Sequence, residues 1–276
     1  QPESSAASDV YKRQHLHDLR NVIEILSENQ HQLSHISFFS SVYYYGNHID
    51  NRLYGQKSLL PFKENALRLD TEKWSYALED FLVRKGKKRA WNWTFFRPSH
   101  TVGVGTQMAN NLALSIAIYA SLCRELGAKL IFPSSKKAYY AMQEISSSKH
   151  LAQMAIQTAN SGENKTYNAT NADTFSWAEM WPLIADYFSL EIQINANFCV
   201  QEFLENNESI WEQMTQKYTL QNTTIKTLLV NTDMLDKITL ASWNTVFGMN
   251  KSLSAGFRAE KNLSLIHISE PTRLRR

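Results

Sequence analysis

Two short stretches of this sequence concentrate side chains able to act on a carbonyl group. The first is Ser40–Gly46, SSVYYYG, which sets Ser40, Ser41, Tyr43, Tyr44 and Tyr45 just past an apolar run. Hydroxyls at such a junction can hold or protonate a carbonyl oxygen. An ordinary hydroxyl-rich turn with its aromatic rings packed into a core explains the same residues. The second stretch is Arg97–Gly105, RPSHTVGVG. Its proline stops a strand and fixes the exit direction of the chain, and its small residues let a backbone approach a ligand closely. A plain strand end is again the alternative.

Other chemistries lack their spacing. The chain holds no G-x-G-x-x-G, G-x-x-G-x-x-G or G-x-x-x-x-G-K-[ST] phosphate cradle. It has no H-E-x-x-H or C-x-x-C to hold a metal, and the pair His15 and His17 is a chance spacing. No G-x-S-x-G elbow suggests a hydrolase. Glu79 and Asp80 are neighbours on a predicted helix and face different directions, so they read as solvated charge or a local cap partner.

The elements that must position these stretches show in the periodicity. Leu19, Val22, Ile23 and Leu26 predict a helix from Asp18 to Asn29. HISFFSSVYYYG reads as a buried strand, and the segment from Asn51 to Asp70, broken by Gly55 and Pro61, as irregular. A helix from Thr71 to Arg84 carries Trp74, Leu78, Phe81 and Leu82 on one side. WNWTFFRPSHTVGVG is a strand with a glycine-bearing loop, followed by QMANNLALSIAIYASLCREL, apolar around most of its circumference and therefore a buried helix. KLIFP is a strand stopped by Pro133, KAYYAMQEISSSKHLAQMAIQTAN is helical with a break near Ser146–Ser148, and KTYNAT is a further strand. Ser176 and Glu179 have capping-box spacing at the head of a helix whose buried face is Trp177, Met180, Trp181, Ile184 and Phe188. Strands alternating with helices predict an α/β fold with a parallel sheet, which binds ligands beyond the carboxyl ends of its strands.

The two ends carry a different signal. Leu263–Ile268, LSLIHI, written as CTG TCT CTT ATA CAC ATC, has the reverse complement GAT GTG TAT AAG AGA CAG, which translates to the DVYKRQ of Asp9–Gln14. Complementary coding of two chain ends has no physical cause in a protein, and the words resemble a transposon-end sequencing adapter. Residues 1–14 and 263–276 are therefore read as adapter-like translation and set aside. They hold Lys12, Arg13, Arg273, Arg275 and Arg276 against Glu3, Asp9 and Glu270, so most of the formal charge of +3 leaves with them. What remains carries no balance that argues for nucleic acid or an acidic membrane surface. Cys123 and Cys199 are far apart and unpaired in spacing, which points to a reducing, cytoplasmic setting. No apolar run reaches the roughly 18 residues of a membrane span. The triplets Asn92-Trp93-Thr94 and Asn168-Ala169-Thr170 fall in predicted strands and read as chance, not as glycosylation sites.

WTFFRPSHTVGVG, then MANNLALSIAIYASLCRELGAKLIFP, then TYNATNADTFSWAEMWPLIADYF resemble the progesterone 5β-reductase/iridoid synthase-like family of extended short-chain dehydrogenases/reductases. The family order is a Lys-His-Tyr strand end, Phe-Tyr-Tyr before an acidic pair, Arg-Pro, the buried helix, Asn-Gly-Asp and a tryptophan-rich helix. The likeness runs from Leu16 to Leu190 and more weakly to Phe257.

The resemblance implies a partial NAD(P)-binding Rossmann-type sheet lacking its N-terminal βα units, with a mostly helical C-terminal substrate lobe. Residues 15–132 would hold the partial domain, and 133–262 the remaining strand and the lobe. It implies NADPH as cofactor, a small-molecule carbonyl partner, and hydride delivery to the β-carbon of an α,β-unsaturated carbonyl. It leaves a homodimer open. Ser40, Pro98 and Thr101 match cofactor-contacting positions. The catalytic positions depart from the family: Tyr43 stands on its lysine and Ser75 on its tyrosine, with Tyr76 on the second tyrosine. Losing one oxyanion donor costs on the order of 100- to 1000-fold in rate. Two readings follow. Either Tyr76, Tyr43 or Tyr44 has taken over in a reductase, or the protein binds NADP as a sensor or scaffold without the catalytic pair.

Overall fold

The computed structural model describes residues 14, 17–26, 33–46, 60–68, 74–87, 91–103, 105, 111–221 and 223–258. In chain order the elements are α1 (17–26), β1 (His35–Phe39), α2 (Trp74–Gly86), β2 (Asn92–Arg97), β3 (His100–Val102), α3 (Leu112–Leu126) and β4 (Leu130–Phe132). They continue with α4 (Lys136–Tyr139), β5 (Met142–Ser147), α5 (Ser148–Ala159), β6 (Lys165–Asn168), β7 (Thr174–Ser176), α6 (Trp177–Phe188) and β8 (Ile192–Ile194). Short helices α7 to α11 lie between Val200 and Ser254. The chain forms two compact units that interleave in sequence: 1–99, 151–169 and 248–257 in the first, 100–150, 170–247 and 258–276 in the second. Of the residues read as adapter translation, 1–14 and 263–276, all but Gln14 lie outside the described residues.

In the first unit β1, β2 and β6 form a parallel sheet in that order, with Phe39 opposite Phe96 and Arg97 opposite Asn168. Successive side chains of a strand point to opposite faces. Phe95 accordingly packs with Ile23, Phe81, Leu82 and Trp91, while Phe96 packs with Leu151, Met154, Tyr167 and Phe257. Both faces are covered, as a parallel sheet requires. Burying each phenylalanine stabilises the fold by about 1.5–3 kcal/mol. The helix expected from Asp18 is present over 17–26, and its last expected residues lie outside the described ones. The helix expected from Thr71 to Arg84 runs from Trp74 to Gly86 with Leu78, Phe81 and Leu82 buried.

In the second unit β3 pairs parallel with β5, β5 antiparallel with β7, and β4 parallel with β8. The pairing of β7 departs from an all-parallel expectation. Tyr119, Phe132 and Trp181 sit at the centre of a large core built on α3 and α6. Asn111 starts α3 by accepting from the Leu114 amide at 3.1 Å, and Gly127 ends it in the left-handed region at φ 63°.

Two elements differ from the sequence reading. The stretch after Lys136 is not one broken helix: it is α4, the strand β5 and then α5. All of Gln143–Ser147 is buried, so no alternation marks the strand, and its polar side chains are satisfied by long-range partners such as Thr245 and Thr170. The single strand expected from Trp91 is two, β2 and β3, because Pro98 has no N–H to continue the ladder.

Candidate functional site

The carboxyl ends of the first unit's three parallel strands carry Ser40, Arg97 and Asn168, the place where such a sheet holds a ligand. Pairing continues past the strands, with the Ser40 amide donating to the Phe96 carbonyl at 2.8 Å and the Val42 amide to the Pro98 carbonyl at 3.0 Å. The chain then tightens into a 3-10 turn, Val42–Tyr45. Ser41 caps it by accepting from the Tyr43 amide at 3.1 Å, and Gly46 closes it at φ 72°, a conformation that suits glycine.

Arg97 is the hub. Its guanidinium is 3% exposed and donates to Glu79 through Nε at 3.3 Å and Nη2 at 3.0 Å. Nη1 donates to the Tyr45 hydroxyl and the Glu64 carbonyl, both at 3.2 Å. The face of the guanidinium lies 3.3 Å from the centroid of the Tyr44 ring, a cation–π contact removed from water. Burial alone would lower the Arg97 pKa, but Tyr45 and Glu79 outweigh it and hold the group charged. Burial pushes the Tyr45 phenol well above its usual range, against the pull of Arg97. That phenol donates to Asn168 Oδ1 at 2.6 Å. Asn168 donates in turn to the carbonyls of Phe62 and Gly248, clasping two further segments to the strand end. With no exposed surface, Asn168 is closed to glycosylation.

Helix α2 presents Ser75, Tyr76 and Glu79 on one face, since residues three and four apart are helical neighbours. Glu79 is 3% exposed and accepts from Ser40 Oγ at 3.0 Å. This corrects the reading of Glu79 as solvated charge. Its counter-ion comes from β2, a partner that a local helical pattern does not reveal. Asp80 does face outward, where Arg68 holds it through two bonds of 2.8 Å.

The structure brings five of the six expected site residues into this unit. Tyr43 is 43% exposed on the turn. Ser75 is 4% exposed, and Tyr76 is buried with its hydroxyl donating to the Tyr44 carbonyl at 2.6 Å. Ser40 is half-buried and Pro98 buried at the two strand ends. Thr101 lies on β3, in the second unit. Sequence reasoning missed Glu79, Glu64 and Asn168. The one signal was an Arg-Pro strand end whose arginine, once buried, needs a carboxylate. Among the described residues no group of His, Cys, Asp or Glu could hold a metal ion, and no helix is long and apolar enough to cross a membrane.

Known proteins match this architecture. The chain is 27% identical over 257 residues to a 3-oxo-Delta(4,5)-steroid 5-beta-reductase of Arabidopsis thaliana, covering 91% of this chain and 66% of that protein. It is 22% identical over 263 residues to an (S)-8-oxocitronellyl enol synthase of Antirrhinum majus, covering 93% and 67%. The chain thus spans about two thirds of the length of the curated relatives it matches. Among solved structures, RMD from Pseudomonas aeruginosa complexed with NADPH superposes with a TM-score of 0.56 at 15% identity, over 88% of this chain and 66% of that one. A UDP-N-acetylglucosamine 4-epimerase from Methanobrevibacter ruminantium M1 gives 0.53 at 11% identity, over 84% and 59%. These two likenesses show the fold. The profile of the PRISE-like Rossmann-fold domain matches residues 6–249, and the chain belongs to that family.

Proposed function

We propose that this chain belongs to an NADPH-dependent reductase acting on a small α,β-unsaturated carbonyl in the cytoplasm, with Tyr43 as hydrogen-bond donor to the substrate oxygen. The observation that carries this reading is the contrast in exposure among the site residues. Tyr43 is 43% exposed at the carboxyl end of β1, while Ser75 is 4% exposed and Tyr76 gives its hydroxyl to a backbone carbonyl. The two relatives named above, one a reductase and one an enol synthase, support the reaction class.

The residues present suit one end of the dinucleotide. Ser40 and Pro98 sit on adjacent strand ends joined by backbone bonds, with Thr101 following in sequence. No glycine-rich turn for the pyrophosphate occurs in the sequence. When bound, NADPH supplies the hydride that adds to the β-carbon. The Tyr43 phenol donates to the oxygen on which negative charge then grows, a contact worth more in that state than in the starting carbonyl. The Arg97–Glu79 pair keeps the turn beneath Tyr43 in place. The resemblance sets Tyr43 on the family's lysine, and with that ammonium replaced by a phenol, turnover is expected to be slow.

In the full-length protein, Tyr43→Phe is expected to lower enone reduction by about 100-fold or more and Ser75→Tyr to raise it. Rapid wild-type turnover unaffected by Tyr43→Phe would contradict the assignment. The chain alone is expected to bind NADPH weakly, and a sub-micromolar affinity measured by fluorescence would refute that. A second reading is a non-catalytic NADP-binding relative, and the burial of Ser75 together with the tied hydroxyl of Tyr76 favours it. Such a protein would hold NADPH with an enone present and leave its nicotinamide absorbance unchanged.

A further inference from the structure

Glu79 binds three groups from two other elements. Its Oε1 accepts from Ser40 Oγ at 3.0 Å and Arg97 Nε at 3.3 Å, and its Oε2 from Arg97 Nη2 at 3.0 Å. Tyr76, three residues earlier on α2, adds a bond to the Tyr44 carbonyl at 2.6 Å. Helix α2 is therefore fastened to the end of β1, to the end of β2 and to the turn that follows β1. Two of these anchors, Ser40 and Tyr44, bracket Tyr43 in the chain.

We infer that Glu79 is a positioning residue: by holding Ser40 and Arg97 together it sets the separation between the Tyr43 turn and Ser75 on α2. The inference rests on Tyr43 and Ser75 being the positions where carbonyl chemistry occurs. A carboxylate is required, not merely a side chain of this size. Arg97 donates to both Glu79 oxygens, so a glutamine in either orientation would set its amide NH2 against a guanidinium N–H. Hydrogen bonds to a charged acceptor are also shorter and about twice as strong as neutral ones.

The test uses amide exchange of the chain itself, followed by NMR, with 3-fluorotyrosine at Tyr43 as a second probe. Ser40→Ala leaves the ion pair whole and removes only the tie to β1. It is expected to raise exchange of the Ser40 and Val42 amides about tenfold, the equivalent of one hydrogen bond, and to broaden the Tyr43 fluorine resonance. Glu79→Gln is expected to raise exchange at the same amides further. In both variants the Phe95 and Phe96 amides keep their protection. Unchanged exchange at Ser40 and Val42, or a uniform rise through the first unit, overturns the inference; if Glu79→Gln does not fold, Ser40→Ala decides. Neither probe depends on NADPH. A local rise in a protein whose full-length form is inactive would remove the reductase and leave the positioning role, and a uniform rise in an active one would do the reverse.

Discussion

Ser75, which the resemblance sets on the family's tyrosine, carries only a hydroxymethyl group and is 4% exposed. The hydroxyl of the neighbouring Tyr76 donates to the Tyr44 carbonyl at 2.6 Å. Tyr43 and Ser75 were singled out in the sequence only through the resemblance, whereas the role of Glu79 was not legible at all. Its meaning depends on Arg97, which is distant in sequence and reaches it only after the strand and helix pack. Removing one member of a buried ion pair strands the other, so Glu79→Ala is expected to cost about 3–5 kcal/mol. Urea unfolding of the chain checks this, and a loss below about 1 kcal/mol, the value of a surface pair, would show the pair to be solvated. Ala172 raises a different residue-scale point. It sits at φ 57° in Asn171-Ala172-Asp173, where the family order has Asn-Gly-Asp. A side chain with a Cβ pays about 1–2 kcal/mol in that region, so Ala172→Gly is expected to raise the unfolding midpoint despite the added freedom of the unfolded chain.

Elements with their own punctuation were readable: Pro98 and Pro133 at strand ends, and Ser176 with Glu179 at the head of α6. There the Glu179 carboxylate reaches back to the Ser176 amide at 2.8 Å and its hydroxyl at 3.0 Å. Glu179→Ala is expected to cost about 1 kcal/mol, seen as a lowered urea midpoint. Strand β5 was unreadable because its polar residues are buried on contacts far away in sequence. Glu144 accepts from the Thr170 and Thr174 hydroxyls and the Phe247 amide, yet burial still pushes its carboxyl above the ordinary range. The folded chain therefore binds this proton more tightly than the unfolded one. The Glu144 contribution is largest below the ordinary carboxylate pKa and is lost as pH rises through its folded value. Glu144→Gln is expected to flatten this part of the stability profile between acid and neutral pH, and an unchanged profile would mean the group is not buried as described.

For the whole molecule, the order of strands and helices with the Arg-Pro and tryptophan-rich motifs identified the family correctly from sequence. The interleaving of the two units escaped notice, since it depends on which distant segments share a core. Family membership does not by itself decide whether this protein turns over its cofactor, and on the proposed reading Tyr43 and Ser75 stand at the two catalytic positions. The direct measurement is mass analysis of the product formed by the full-length protein from a small enone and NADPH deuterated at the transferred position. The account expects slow formation of a saturated carbonyl carrying that deuterium at its β-carbon, with matching loss of NADPH. Bound NADPH that survives prolonged exposure to the enone without label transfer would contradict it.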